Sequence, residues 1–220
     1  MKLLKKIADN TRANSFALKL RRKRFDLFKK LVLKLPRPLR ILDVGGTEAF
    51  WKTMGFAEEI GVDIVLFNRV MIPTSYQNFT SIVGDAREMS QFGDGEYDVV
   101  FSNSLIEHVG NYYEQKKVAD EIVRIGKRYF VQTPNYYFPI EPHFLFPFFQ
   151  YLPLGLKTFL LCHFNLGWYK KIKDCQRAAE IARSIRLLKE HELRQLFPKA
   201  EIYREKVLGL TKSFILYGGW

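Results

Sequence analysis

Ile41-Leu42-Asp43-Val44-Gly45-Gly46-Thr47-Glu48-Ala49-Phe50-Trp51 is the stretch on which the reading of this chain turns. A mostly apolar run stops in two glycines, and a helical pattern comes next. That is a strand, a tight turn and a helix start. Glycine lets the backbone approach a bound group with no Cβ in the way, and the first N–H groups of a helix face whatever sits there. The stretch therefore predicts a ligand cradle, although paired glycines after a strand also serve as an ordinary tight turn. The later strand ends decide between the two.

Gly61 to Asn68 holds a second strand, whose Ile64-Val65-Leu66-Phe67 is a continuous apolar run of the kind a parallel sheet buries on both faces. Phe79 to Asp85 reads as a third, ending in Gly84-Asp85-Ala86-Arg87. Tyr97 to Asn103 is a fourth, after the turn Gly93-Asp94-Gly95. A helix over 114–126 carries Val118, Ile122 and Ile125 on one face, and Arg128 to Thr133 makes a fifth strand stopped by Pro134. Residues 184–196 suit a helix, and 200–207 with 213–217 suit a closing strand pair. This alternation predicts an α/β fold: a Rossmann-like doubly wound sheet, mostly parallel with an antiparallel closing strand, in three αβα layers. Its ligand would sit at the C-terminal strand ends.

The 220 residues suffice for one such domain with an insertion. We expect a basic N-terminal helical arm over 1–35 and the domain over 36–220. An aromatic lid is expected at about 136–175, where Pro139, Pro142, Pro147 and Pro153 break the alternation. Charge is concentrated at the front: residues 1–40 hold 14 Lys and Arg against Asp9 and Asp26, while 21 basic and 21 acidic residues balance in the rest. From Ser15 to Leu35 the positions Phe25, Phe28, Leu31, Val32 and Leu35 form one apolar helix face among lysines and arginines. Such a helix packs on the domain, lies on an anionic membrane surface, or follows an RNA backbone. No secretory leader is expected, because the first apolar run is only Leu3-Leu4. Cys162 and Cys175, without metal-ligand spacing, fit a reducing, cytoplasmic setting, with peripheral attachment to the inner membrane face as the further option. Phe144 to Phe164 is apolar, but Pro147 and Pro153 would break a spanning helix, which leaves a lid or a surface that dips into lipid.

Taken together, the strand ends resemble the class I S-adenosylmethionine-dependent methyltransferases, in the broad small-molecule group with a Glu-His-Val turn after the fourth strand. The likeness is specific over roughly residues 38–135. It implies S-adenosylmethionine as cofactor, with Asp43, Gly45 and Gly46 in the places of the family's acidic residue and glycine turn. Thr47 stands where a further glycine is usual. The family's ribose-binding carboxylate at the end of the second strand is replaced by Asn68, with Asp63 as the other candidate. Asp85 and Ala86 match the adenine-recognising turn. Ser102, Asn103 and Ser104 would line the methionine moiety, while Asp98, at the start of that strand, is expected to be structural.

Asp98-Val99-Val100-Phe101-Ser102-Asn103-Ser104-Leu105-Ile106-Glu107-His108-Val109 carries the most specific part of the resemblance. In the ubiquinone-pathway O-methyltransferases a similar Glu-x-x-Glu-His surrounds a divalent metal. Here Ser104 replaces the first carboxylate, and the two remaining ligands make a poor site, so no metal is expected. Glu107 and His108 are expected to begin the following helix. Methyl transfer to a hydroxyl needs a base, and His143, oriented by Glu141 in the loop after the fifth strand, is the candidate, with His108 nearby. The acceptor would be small or lipid-linked. RNA is the alternative enzymatic substrate, and a non-catalytic binding or scaffold protein with this fold is the reading from another class.

Overall fold

The computed structural model describes residues 2–9, 12 and 15–220. Its centre is a seven-stranded sheet in the order β3-β2-β1-β4-β5-β9-β8. In chain order these are β1 (Leu39–Val44), β2 (Val62–Asn68), β3 (Phe79–Val83), β4 (Val99–Asn103), β5 (Tyr129–Pro134), β8 (Glu201–Val207) and β9 (Leu210–Gly218). The first five are parallel, and β9 runs antiparallel to β5. A doubly wound, mostly parallel α/β sheet with an antiparallel closing pair is thus the observed architecture. Strand order reverses between β1 and β4, so the crevice beyond their C-terminal ends is the switch point where such sheets hold ligands.

Both faces of the sheet are covered, which is why the strands read as continuous apolar runs rather than alternating ones. Ile41, Ile64, Leu66, Val99 and Phe101 face one side, under α2 (Phe16–Val32) and α3 (Glu48–Thr53). The ring of Phe28 on α2 lies 4.9 Å from Phe101 and 5.2 Å from Phe130, so the basic helix packs its apolar face directly on the sheet. Arg24, also on α2, donates twice to the buried Glu205 of β8, at 3.1 and 2.9 Å. Leu42, Val44, Val100 and Val131 face the other side, under α4 (Tyr112–Ile125) and α7 (Glu190–Leu196). A short helix α1 (Lys2–Ala8) precedes α2.

The segment after β5 forms a separate small core around Phe144, Phe149, Leu161 and Leu166. It contains the hairpin β6 (Ile140–Glu141) and β7 (Phe146–Pro147), then α5 (Leu154–His163) and α6 (Cys175–Arg183). Among the described residues no helix is long and apolar enough to cross a membrane.

Several boundaries differ from the sequence reading for local reasons. Glu107 and His108 do not begin α4; they lie in a 3-10 turn, Ile106–His108, and α4 starts only after Asn111, whose side chain caps it by accepting from the Glu114 N–H. The helix expected over 184–196 shortens to α7. Leu188 is held extended by a bridge to Asn135, and the Arg186 N–H donates to the Glu107 carbonyl. The closing pair runs longer, because Leu208 and Gly209, both at positive φ, make a two-residue hairpin turn.

Candidate functional site

At the end of β1, Gly45 takes φ +85°, a backbone region that favours glycine, and its N–H donates to the Phe67 carbonyl. Gly46 packs so closely on Asp43 that any Cβ would land on the carboxylate. Asp43 is buried; its Oδ2 accepts from the Trp51 indole N–H at 2.7 Å, and Oδ1 has no partner among the described residues. Burial pushes this carboxyl up to about 7, against the opposing hydrogen bond from Trp51. Thr47 caps α3 by accepting from the Phe50 N–H at 3.4 Å. Sequence reasoning missed Trp51, whose place on α3 three residues past Glu48 is what returns its ring to Asp43.

Asn68 ends β2 beside this turn and donates from Nδ2 to the Gly46 carbonyl at 3.0 Å. Asp63 pairs with Arg40 at the opposite end of the strand, so of the two it is Asn68 that neighbours the cradle. Asp85 follows β3. Its Oδ1 accepts from the Arg87 N–H and Nε, and its Oδ2 from Nη2 of Arg87 and of Arg69, at 2.5–3.1 Å. These bonds hold the carboxyl well below the usual carboxylate range. They also use all four of its lone-pair directions. Ala86 beside it is buried.

On β4, the Ser102 hydroxyl is spent inside the sheet, donating to the Val44 carbonyl at 3.1 Å. Asn103 is half-buried at the strand end. Ser104 takes φ +56°, and both its N–H and its hydroxyl meet Gln132 of β5, at 2.9 Å each. A non-glycine residue held at positive φ marks a position that its surroundings over-determine. Asp98, at the other end of β4, accepts from the Arg40 N–H and from Lys127 and so ties strand starts together.

The 3-10 turn after β4 faces the loop after β5. Glu107 is fully buried: Oε2 accepts from the Thr133 hydroxyl at 3.0 Å, and Oε1 has no partner among the described residues. Burial pushes it up to about 7 despite the opposing charge of His143. Glu141, 2% exposed, accepts the backbone N–H groups of His143 and Phe144 through Oε2 and holds His143 Nδ1 at 2.6 Å through Oε1. Burial lowers His143, but the Glu141 bond and charge outweigh it and leave the imidazole raised. His143 Nε2 lies 3.0 Å from His108 Nε2, with the rings nearly perpendicular. Burial of its inner edge and the neighbouring His143 lower His108, whose outer edge meets solvent.

A cavity of about 350 Å³ opens at this point. Ser104, Gln132 and His143 line its polar end, Phe16, Leu20, Phe138, Leu145 and Trp168 supply apolar walls, and Arg21, Arg24 and Lys212 add a basic side. The structure thus gathers Asp43, Gly45, Gly46, Thr47 and Asn68 around one turn, and brings Ser104, His108, Glu141 and His143 together at the adjoining strand ends. Asp85 and Ala86 stand at the next strand end along, past β2. Gln132 and Thr133 belong to the same site and went unread, because in sequence they look like ordinary residues of a buried strand.

The family described as "Methyltransferase domain" matches residues 42–129. A curated relative, the uncharacterised protein Rv1509 of Mycobacterium tuberculosis (strain ATCC 25618 / H37Rv), is 28% identical over 107 residues; the match covers 49% of this chain and 33% of that protein. Among solved structures, a possible exported protein of Bordetella parapertussis superposes with a TM-score of 0.53 at 12% identity, covering 89% of this chain and 66% of the other. The CurJ carbon methyltransferase gives a TM-score of 0.52 at 12% identity, covering 86% and 51%. At such identities these two show likeness of fold. Residues 42–129 thus match the methyltransferase-domain family in sequence, and the sheet that contains them has the Rossmann-like fold of S-adenosylmethionine-dependent methyltransferases.

Proposed function

We propose that this chain transfers a methyl group from S-adenosylmethionine to a hydroxyl oxygen of a small or lipid-linked acceptor. The observation that carries the reading is the cavity at the ends of β4 and β5, with apolar walls, a basic side formed by Arg21, Arg24 and Lys212, and a polar end at Ser104, Gln132 and His143. The donor's adenosine would lie along Gly45, Asn68 and Asp85, with its methionine end toward Asn103 and Ser104. An oxygen lone pair attacks the sulfonium methyl carbon; the C–O bond forms, the C–S bond breaks, and the electron pair stays on sulfur. The enzyme's part is to align the pair, exclude water and take the hydroxyl proton.

That proton leaves at the histidine pair. Glu141 fixes a proton on Nδ1 of His143, which leaves Nε2 as its basic nitrogen, beside the cavity. The exposed basic residues of α2, among them Arg22, Lys23 and Lys30, suit an anionic membrane surface on which a lipid-linked acceptor would be met. The test is a screen with labelled methyl donor over lipid, sugar, quinone and RNA fractions. Label in an apolar hydroxylated product supports the reading. Label confined to RNA replaces it with the nucleic-acid alternative, and failure to bind S-adenosylmethionine in calorimetry leaves the scaffold.

A further inference from the structure

Glu107, His108 and His143 each present one ligand atom, and the three atoms all lie within 4.8 Å of one another. We propose that they form a binding site for a divalent transition-metal cation of the Zn²⁺ or Fe²⁺ type, set at the polar end of the acceptor cavity.

Three observations support this independently of the methyl-transfer reading. The Nε2 atoms of His108 and His143 face each other at 3.0 Å. Two neutral imidazoles in that arrangement satisfy each other only if one gives a proton, whereas two lone pairs aimed at a shared cation need none. That spacing is close to what two adjacent ligands adopt when each lies about 2.0–2.1 Å from one metal ion.

Glu107 supplies the charge. It is fully buried, one oxygen is held by Thr133, and the other has no partner among the described residues. An unpartnered carboxylate oxygen in a buried setting is costly unless something positive meets it. A cation bound by the two imidazoles would.

Glu141 completes the arrangement from behind. A histidine that binds metal through Nε2 commonly gives its Nδ1–H to a carboxylate, which fixes the tautomer and orients the ring. His143 does this with Glu141 at 2.6 Å, and Glu141 is itself locked by two backbone N–H groups. Two imidazoles and one carboxylate leave coordination positions open, as in sites where metal meets substrate, and this donor set favours Zn²⁺, Fe²⁺ or Co²⁺ over Mg²⁺ or Ca²⁺. The third ligand comes from a loop 35 residues beyond the first pair, which is why the segment around His108 looks one ligand short when read alone.

The metal's role, unlike its binding, rests on the proposed methyl transfer. With a cation held by both Nε2 atoms, the acceptor hydroxyl would bind at an open position, lose its proton to water at a lowered pKa, and attack the methyl carbon as alkoxide. With the cation bound, the metal would replace the imidazole as the group that activates the hydroxyl, since the Nε2 lone pairs would then be coordinated.

The test uses the full chain in a Cys162→Ser/Cys175→Ser background, so that thiols cannot bind the probe. The chain is stripped with chelator and titrated with Zn²⁺ against a chromophoric competitor, and separately with Co²⁺ monitored by its visible absorption. One equivalent of each is expected, with Co²⁺ bands of a four- or five-coordinate site. His108→Ala and His143→Ala should each weaken Zn²⁺ at least about 100-fold, and Glu141→Gln about 10-fold. His163→Ala, outside the cluster, should leave affinity unchanged, and circular dichroism checks that each variant is folded. No binding of either ion, or binding that survives both histidine substitutions in folded protein, overturns the site. Calorimetry with S-adenosylmethionine on the same samples separates the two readings: a chain that binds Zn²⁺ at these residues but not the donor keeps the metal site and loses the methyl transfer.

Discussion

His108 and His143 meet Nε2 to Nε2 at 3.0 Å although 35 positions separate them in the chain. One sits in the 3-10 turn after β4 and the other in the loop after β5, and β4 and β5 are parallel neighbours. Two segments that leave adjacent parallel strands at the same edge are bound to come together there. The meeting is therefore a consequence of topology, and Glu141, anchored by backbone N–H groups, sets the distance. Both histidines sit on segments that leave the sheet, so their geometry rests on the buried carboxylates that anchor those segments, Glu141 on two backbone N–H groups and Glu107 on Thr133.

The glycine turn makes a sharp prediction. Gly46→Ala would drive a methyl group into the Asp43 carboxylate, which is trapped between the turn and Trp51. Overpacking of this kind costs about 1–3 kcal/mol. Urea denaturation should show a loss in that range, and calorimetry should show S-adenosylmethionine binding abolished. An alanine variant as stable as the parent would mean that the carboxylate is free to move.

Asp43 also gives a pH signature. Its folded value of about 7 lies above the ordinary 3.8, so the folded chain holds a proton that the unfolded chain releases. The folded state is then favoured most below the unfolded value, and this contribution is lost as pH rises toward 7. Asp43→Asn keeps an acceptor for the Trp51 N–H and removes the titration. The difference in melting temperature between parent and variant should therefore shift in the variant's favour from pH 4.5 to 7.5, and a pH-independent difference would place the group elsewhere.

The sheet and its glycine turn were legible because their signals are local. Short, largely apolar runs, each closed by glycine, proline or a polar residue, located β1 to β5 within two residues of their observed ends. The partners were not legible, because they depend on which strands become neighbours. Trp51 under Asp43, Gln132 beside Ser104 and Thr133 on Glu107 carry no pattern of their own. The first part of the helix expected over 184–196 failed for the same reason: its apolar residues suit a helix, but Leu188 and Arg186 find backbone partners on Asn135 and Glu107 instead.

Asp85 separates binding from stability. Its ion pairs with Arg69 and Arg87 are more than one-third exposed or close to it, and such pairs contribute no more than about 1 kcal/mol. Asp85→Asn should therefore change stability by less than about 1 kcal/mol. As the proposed partner of the adenine amine, however, it should weaken S-adenosylmethionine about 10-fold or more, a charge-assisted bond being exchanged for a neutral one. Because both oxygens are already fully used, Arg69→Ala should leave affinity equal or improved. Calorimetry on both variants decides, and unchanged affinity for Asp85→Asn would remove this residue from the cofactor site.

Removing residues 1–35 would do more than delete a basic arm. Phe25, Phe28 and Val32 are buried on the sheet, and Arg24 neutralises the buried Glu205. At about 1.5–3 kcal/mol for each large apolar side chain, their loss approaches the whole stability of a domain. A chain that starts at residue 36 should show no cooperative melting, whereas one that starts at residue 15 keeps α2 and its Ser15 cap and should melt cooperatively. Charge reversal at Arg22, Lys23 and Lys30, all exposed, is the usable probe of membrane binding. It should release the chain from anionic vesicles in flotation with little change in melting. Retained flotation would assign lipid contact to another surface.

Cys162 on α5 and Cys175 at the start of α6 bring their thiols to 2.9 Å, although nothing in their spacing suggested a pair. Oxidation needs only the removal of two protons and two electrons, which diamide supplies by accepting them as it becomes the hydrazine. The bond would close a loop of about 13 residues between α5 and α6, and a crosslink of that size is worth about 3 kcal/mol. Diamide-treated protein should gain one disulfide by mass spectrometry, and amide exchange across residues 154–183 should slow, with no change on β1 to β5. Cys162→Ser should abolish both effects. If exchange across residues 154–183 is the same in oxidised and reduced protein, α5 and α6 are already held by the packing of Leu161, Ala178 and Ala182 alone.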